Sequence, residues 1–290
     1  MRSLSNTERG TPQEPLQAPW LASLRAKLAL LVSALRSFGA AWSVARYPAA
    51  PGRRTGEATV ALILCADVVI AGYVFDATFA RWAMTLPESV TAFFAEVTLL
   101  GTSGYIFALC VAVAIVAVLA AARAPNLLLK ARMNGLAARA MYVFMVNAVG
   151  GIIAQALKHV AGRARPKLMD IVGPFHFDAF SIRASLASFP SGHTITVFAT
   201  ATALGYFMPR LRVPLYCVAS LVAVSRLMIA AHYPSDVLAG IIFGVGTAIF
   251  VRRAFGRRAI AFRPCEAGFC LRPAASPAMA FALLFGRGNR

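Results

Sequence analysis

Three short stretches hold the side chains whose types and spacing could do chemistry. They are Lys158 with Arg165-Pro166, Pro190-Ser191-Gly192-His193, and Ser225-Arg226 followed by His232 and Asp236. Together they offer three cations, two imidazoles and one carboxylate. A phosphoryl group needs such a set: positive charge to hold its oxygens, a nucleophile for phosphorus and an acid for the leaving group. Arg165 follows Lys158 by seven positions, two helical turns and about 10 Å if a helix continues to Pro166, so both could face one anion. Ser191-Gly192 at a helix start presents free N–H groups, and glycine lets the backbone approach phosphate oxygens. His193 follows as a proton donor. Arg226 inside an apolar stretch is expensive and calls for a partner. Asp236 is expected to accept a hydrogen bond from one nitrogen of His232, fixing the tautomer that leaves the other nitrogen nucleophilic.

Each stretch alone has a plainer reading. Lys158 and Arg165 could snorkel from a helix end, Ser191 could be an ordinary cap, and Asp236 could serve the start of its own helix. What sets them apart is that all occur in order at one end of four consecutive apolar spans.

Those spans follow from composition. The chain is 59% hydrophobic and 14% charged over 290 residues, with mean hydropathy +0.68, whereas soluble domains are about 25% charged. A spanning helix needs roughly 20 mostly apolar residues. Six stretches meet or approach this: about 58–78, 104–122, 137–157, 193–208, 213–231 and 236–251. The fold class expected is all-α, a polytopic membrane protein of six transmembrane helices with interfacial amphipathic helices. A net charge of +18 does not indicate nucleic acid, because the basic residues are divided among the spans rather than gathered on one solvated face. Most lie in segments that the positive-inside rule assigns to the cytoplasm. The seven assigned outside are Arg81, Lys158, Arg163, Arg165, Lys167, Arg183 and Arg226. Both termini are therefore expected in the cytoplasm and the three motifs at the outer face of the cell membrane.

Residues 1–57 read as a cytoplasmic segment, 58–251 as the membrane domain and 252–290 as a basic cytoplasmic tail. Trp20, Leu21, Leu24, Leu28, Leu31, Leu35, Phe38 and Trp42 recur at three- and four-residue steps, an amphipathic helix for the membrane surface or for packing on the domain. Residues 79–100 read as a second surface helix, and the tail as a membrane-surface or unstructured segment. The five cysteines form no disulfide framework and receive no role. Asp67 reads as a pathway residue or a neutral hydrogen-bonded group, and Asn147 as a link between helices.

Lys158-(six residues)-Arg165-Pro166, Pro190-Ser191-Gly192-His193 and Ser225-Arg226-(five residues)-His232-(three residues)-Asp236 resemble the three-part signature of the type 2 phosphatidic acid phosphatase superfamily. Members often continue Arg-Pro with a second Arg-Pro, where this chain has Lys167-Leu168. The resemblance implies an integral-membrane phosphatase without metal or other cofactor, in keeping with the lack of a carboxylate cluster for magnesium. It further implies that Lys158, Arg165 and Arg226, with N–H groups near Ser191 and Gly192, clamp the phosphate. His232, oriented by Asp236, would attack to give a phosphohistidine, and His193 would serve the leaving group and then water. The implied partners are the bilayer and a lipid phosphate or diphosphate, with lipid A and undecaprenyl diphosphate first by resemblance. The alternatives are a soluble phosphate ester or another phosphoryl acceptor with the same residues, or an inactive lipid-binding or transport protein.

Overall fold

The computed structural model describes residues 54–265 and 268–271, together with Ala29 and Val32. Apart from those two residues, the amphipathic helix expected between Trp20 and Trp42 lies outside the described residues. Helix α1 (Arg54–Ala71) runs through a π-helical turn (Gly72–Asp76) into α2 (Ala77–Met84). Then come α3 (Glu88–Leu99), α4 (Ser103–Ala122), α5 (Leu127–Ala161), the one-turn α6 (Met169–Val172), α7 (Gly192–Phe207), α8 (Arg212–Met228) and α9 (Pro234–Arg257). A hairpin of β1 (Phe262–Cys265) and β2 (Gly268–Leu271) follows.

All six expected apolar stretches are helical. Five helical runs are long and apolar enough to cross a membrane: Thr59–Met84, Glu88–Ala122, Leu127–Ala161, Pro209–Met228 and Pro234–Arg257. With 16 residues, α7 is shorter, about 24 Å at the rise of an α-helix. It is also the most enclosed, with Thr194, Ile195, Val197, Phe198 and Ala199 among its buried residues. Its neighbours are protein on most sides, so its length is not dictated by the thickness of lipid. The peripheral helices differ. Leu62 and Ile63 on α1 and Leu109 and Val116 on α4 are exposed, as side chains facing acyl chains would be.

The single surface helix expected over 79–100 is instead divided. Residues up to Met84 continue the first long run, and Pro87 starts α3, which leads into α4. Proline has no N–H to carry a helix through but fits the start of a new one. Of the expected tail, residues up to Arg257 belong to α9 and the hairpin then folds back, while residues 272–290 lie outside the described residues. Phe262 is buried against Tyr142, Phe207 and Phe255. Cys265 and Cys270, assigned no role from sequence, are joined in a disulfide across the hairpin. Their separation of five residues reveals a pair only once the turn is known.

Two glycines bring the site-bearing ends together. A Cβ on Gly240 of α9 would lie 2.9 Å from the Ser191 carbonyl and 2.8 Å from Thr194 Cβ, so only glycine lets α9 pass so close to the start of α7. Gly162 ends α5 at φ 57° and accommodates the Asp178 carbonyl where a Cβ would collide. The helix therefore stops before Arg165, rather than continuing to Pro166 as the seven-residue spacing suggested.

Candidate active site

The last turn of α5, the start of α7, the end of α8 and the start of α9 meet at one end of the bundle. Lys158 lies in the last turn of α5, and a Cβ on Gly192 would sit 3.4 Å from its Nζ. The ammonium and the opening backbone of α7 are thus neighbours. Past Gly162 the chain is extended and tied down by its backbone: Ala164 N–H donates to His176 O, Arg165 N–H to Ser185 O and Ser188 N–H to Arg163 O, all at 3.0–3.1 Å. Arg165 reaches the cluster from this segment, with its Nε donating to the Ala184 carbonyl at 3.0 Å. Arg226 is buried in α8 and donates from Nη1 to Thr98 Oγ1 at 2.6 Å. Lys158, Arg165 and Arg226 lie within electrostatic range of one another and of His193, and Arg165 and Arg226 also of His232. Among the described residues, none of the three cations is ion-paired with a carboxylate.

Ser191 precedes α7 without capping it by its side chain. Its Oγ accepts from Thr194 Oγ1 at 2.9 Å, and its N–H is committed to the Asp236 carbonyl at 3.0 Å. The open donors at this helix start are thus those of Gly192 and the residues just after it. His193 is half-buried in the first turn, close against Gly101, where a Cβ would lie 2.9 Å from its Cδ2.

His232 is buried in the short connection between α8 and α9. Its Nδ1 lies 2.7 Å from the Ser188 carbonyl and 3.7 Å from Asp236 Oδ2. A carbonyl can only accept, so Nδ1 carries the proton and Nε2 keeps its lone pair. The hydrogen bond expected to go to Asp236 goes instead to a backbone oxygen beside it. Burial lowers the His232 imidazole to about 4, with Asp236 opposing, so the ring is neutral at ordinary pH.

Asp236 is fully buried and heavily used. Oδ1 accepts from Arg163 Nη1 at 2.6 Å, and Oδ2 accepts from Ser188 Oγ at 2.6 Å and from Tyr233 N–H at 3.0 Å. The last bond is the helix-start role that sequence offered as the plainer alternative. It coexists with proximity to His232.

Sequence reasoning placed Lys158, Arg165, Ser191, Gly192, His193, Arg226, His232 and Asp236, and the structure gathers all eight. It missed Asp76, Thr98, Arg163, Ser188 and Ser235. Arg163 was counted only as an outer basic residue, yet it is buried at 3% exposure. It donates from Nη2 to Asp76 Oδ2 at 2.7 Å and from Nη1 to Ser235 Oγ at 2.7 Å, and its guanidinium stacks 4.3 Å over the Tyr233 ring. Burial pulls this guanidinium down, but Asp236 and Asp76 outweigh it and hold it above its ordinary value. By contrast, burial leaves Arg165 below its ordinary value. Asp76 had one available signal, a carboxylate within an apolar span. Asp67, the acid weighed from sequence, is exposed on α1. Asn147 does link helices, accepting from Thr200 Oγ1 at 3.1 Å.

Residues 139–260 match the family model described as PAP2 superfamily. The lipid A 1-phosphatases of Rhizobium johnstonii and Rhizobium etli are each 38% identical to this chain over 130 residues. The match covers 45% of this chain and 53% and 56% of those proteins, so the chain spans about half the length of the curated relatives it matches. Among solved structures, a PAP2-type phosphatidylglycerolphosphate phosphatase from Bacillus subtilis aligns over 66% of this chain and 92% of its own, at 20% identity and TM-score 0.46. LpxE of Aquifex aeolicus aligns over 61% and 93%, at 20% identity and TM-score 0.42.

Proposed function

We propose that the PAP2 superfamily domain at residues 139–260 makes this chain an integral-membrane lipid phosphatase that releases phosphate from a lipid headgroup. One observation carries the reading. Lys158, Arg165 and Arg226 converge beside two imidazoles without carboxylate partners of their own among the described residues. Cations clustered in a partly buried site repel one another, and a phosphate with its several negative oxygens relieves that repulsion.

The geometry supports the following chemistry. The cations and the open N–H groups of Gly192 and its neighbours hold the phosphoryl oxygens and offset charge in the transition state, usually the largest catalytic contribution. His232 attacks phosphorus through Nε2, made available because Nδ1–H is held by the Ser188 carbonyl. The P–O bond to the leaving group breaks as the N–P bond forms, and His193 gives that oxygen a proton. His193 then takes a proton from water, which attacks phosphorus and frees His232. The positive-inside distribution of Lys and Arg supports a site at the outer face of the cell membrane.

The two rhizobial relatives act, by their names, on the 1-phosphate of lipid A, and we place that lipid first as substrate. The test is phosphate release by detergent-purified wild type and His232→Ala, with EDTA present. The panel is lipid A, undecaprenyl diphosphate, phosphatidic acid, phosphatidylglycerol phosphate and a soluble sugar phosphate. Release from lipid A that the variant abolishes is the expected result. Preference for the sugar phosphate would overturn the lipid reading, and equal release by both proteins would remove His232 as nucleophile.

A further inference from the structure

Asp76 and Arg163 belong to none of the three motifs, yet they form the most heavily bonded charged group in the described part of the molecule. Asp76 is 0% exposed and Arg163 3%. One Asp76 oxygen accepts from the Ser235 N–H at 2.9 Å, and the other accepts from Ser235 Oγ and Arg163 Nη2. Arg163 also donates to Asp236 Oδ1, Ser235 Oγ and the Pro174 carbonyl. Asp76 comes from the π-helical turn at the end of α1, a local irregularity frequent at functional sites, and it reaches residues 87 and 159 positions away in the chain.

Charge is the informative part. Neutralising one buried guanidinium takes one carboxylate, and Asp236 already supplies it. A second buried carboxylate in a span is expensive, and here it leaves the group Asp76, Arg163 and Asp236 with one excess negative charge. That excess faces His232, whose Nδ1 is 3.7 Å from Asp236 Oδ2. The other groups acting on His232 are cationic, Arg226 and Arg165, with His193 close by. They oppose the positive charge that appears on the imidazole when Nε2 bonds to phosphorus while Nδ1 keeps its proton.

We infer that Asp76 and Arg163 are positioning residues that fix Asp236 in place and leave it a net negative charge, so that the phosphorylated His232 ring is stabilised as a cation. The inference rests on the phosphatase reading above. In the step concerned, the Nε2 lone pair forms the N–P bond, the P–O bond breaks, and the leaving oxygen takes the proton of His193. The ring is left with one positive charge beside Asp236. Without Asp76, Arg163 would neutralise Asp236 and that charge would stand uncompensated among cations.

The test compares wild type, Asp76→Asn and the double variant Asp76→Asn/Arg163→Gln, using phosphate release from whichever panel lipid the wild type hydrolyses. Circular dichroism and melting give the folded fraction of each protein. Asp76→Asn should lower kcat of the folded protein about tenfold or more, the scale of 1.4 kcal/mol, with KM within about twofold of wild type because the phosphate clamp is untouched. The double variant has lost more hydrogen bonds but recovers the excess negative charge on Asp236, so its kcat should rise above that of the single variant. A purely structural role predicts the opposite order. The inference is overturned by an unchanged kcat in folded Asp76→Asn, by a double variant no better than the single, or by failure of both variants to fold. Wild type inactive on every substrate would sink the phosphatase reading first and the inference with it, which distinguishes the two failures.

Discussion

At one end of α5, α7 and α9, Lys158, Gly192 and Asp236 gather with Arg163, Arg165 and Arg226. At the other end, the same three helices bring Tyr142, Phe207 and Phe255 onto Phe262 of the hairpin, with ring centroids 4.9–5.6 Å from Tyr142. At the polar end Arg163, Asp236 and Asp76 are opposite charges that make one another tolerable, beside three cations without a carboxylate partner among the described residues. Losing one of the paired groups leaves a buried charge exposed to its own desolvation cost. The aromatic end is held by apolar burial, which is non-directional, and by edge-to-face packing of rings that carry no charge to leave unpaired. Perturbing the first should alter chemistry and stability together. Perturbing the second should alter stability alone.

Variants at the two ends can break this comparison. The largest effect is expected at the proposed nucleophile: His232→Ala should leave essentially no phosphate release, whereas His193→Ala should retain a trace after a loss of about 10²–10⁴-fold, the worth of general acid–base catalysis. A steady-state assay at high enzyme concentration separates the two. Next comes the far end, where Phe262→Ala should cost roughly 3–5 kcal/mol of stability, as large aromatic truncations do, with kcat of the folded enzyme unchanged. A chemical-denaturation series paired with kcat would show this, and a matching fall in kcat would mean the ends are coupled. Thr98→Val, which removes the acceptor of buried Arg226, should cost about 1.5–3 kcal/mol, as for a hydrogen bond to a charged group. Part of that should surface as a higher KM, since the guanidinium loses its fixed position. Tyr142→Phe deletes only the bond to the Ala248 carbonyl and should cost about 1 kcal/mol without changing kcat or KM.

The two ends were also unequally legible. Lys158, Arg165, His193, Arg226, His232 and Asp236 could be picked out because ionisable residues are rare in apolar spans and these sit at span ends with fixed spacing. Hydropathy located the spans for the same reason, since about 20 apolar residues in a row have little other use. The helix break at Gly162 is not legible in the spacing, which points to Pro166, because it depends on the Asp178 carbonyl occupying the space beside the glycine. The hairpin was missed because Phe262–Leu271 is a short stretch among basic residues, and its aromatic partners lie on three distant helices. Asp76 and Arg163 were each visible as charges, but their pairing across 87 residues was not.

The sequence by itself determined what is local: helical spans from runs of apolar side chains, and a phosphate-handling inventory from residue types at close spacing. Only the tertiary structure decided that Arg163 rather than Arg165 pairs with Asp236, that His232 Nδ1 bonds to the Ser188 carbonyl, and that a carboxylate from the first helix completes the group. The physical reason is that a buried charge must be balanced by whatever opposite charge lies within a few ångströms. That distance is fixed by how the helices pack, which the spacing along the chain does not contain.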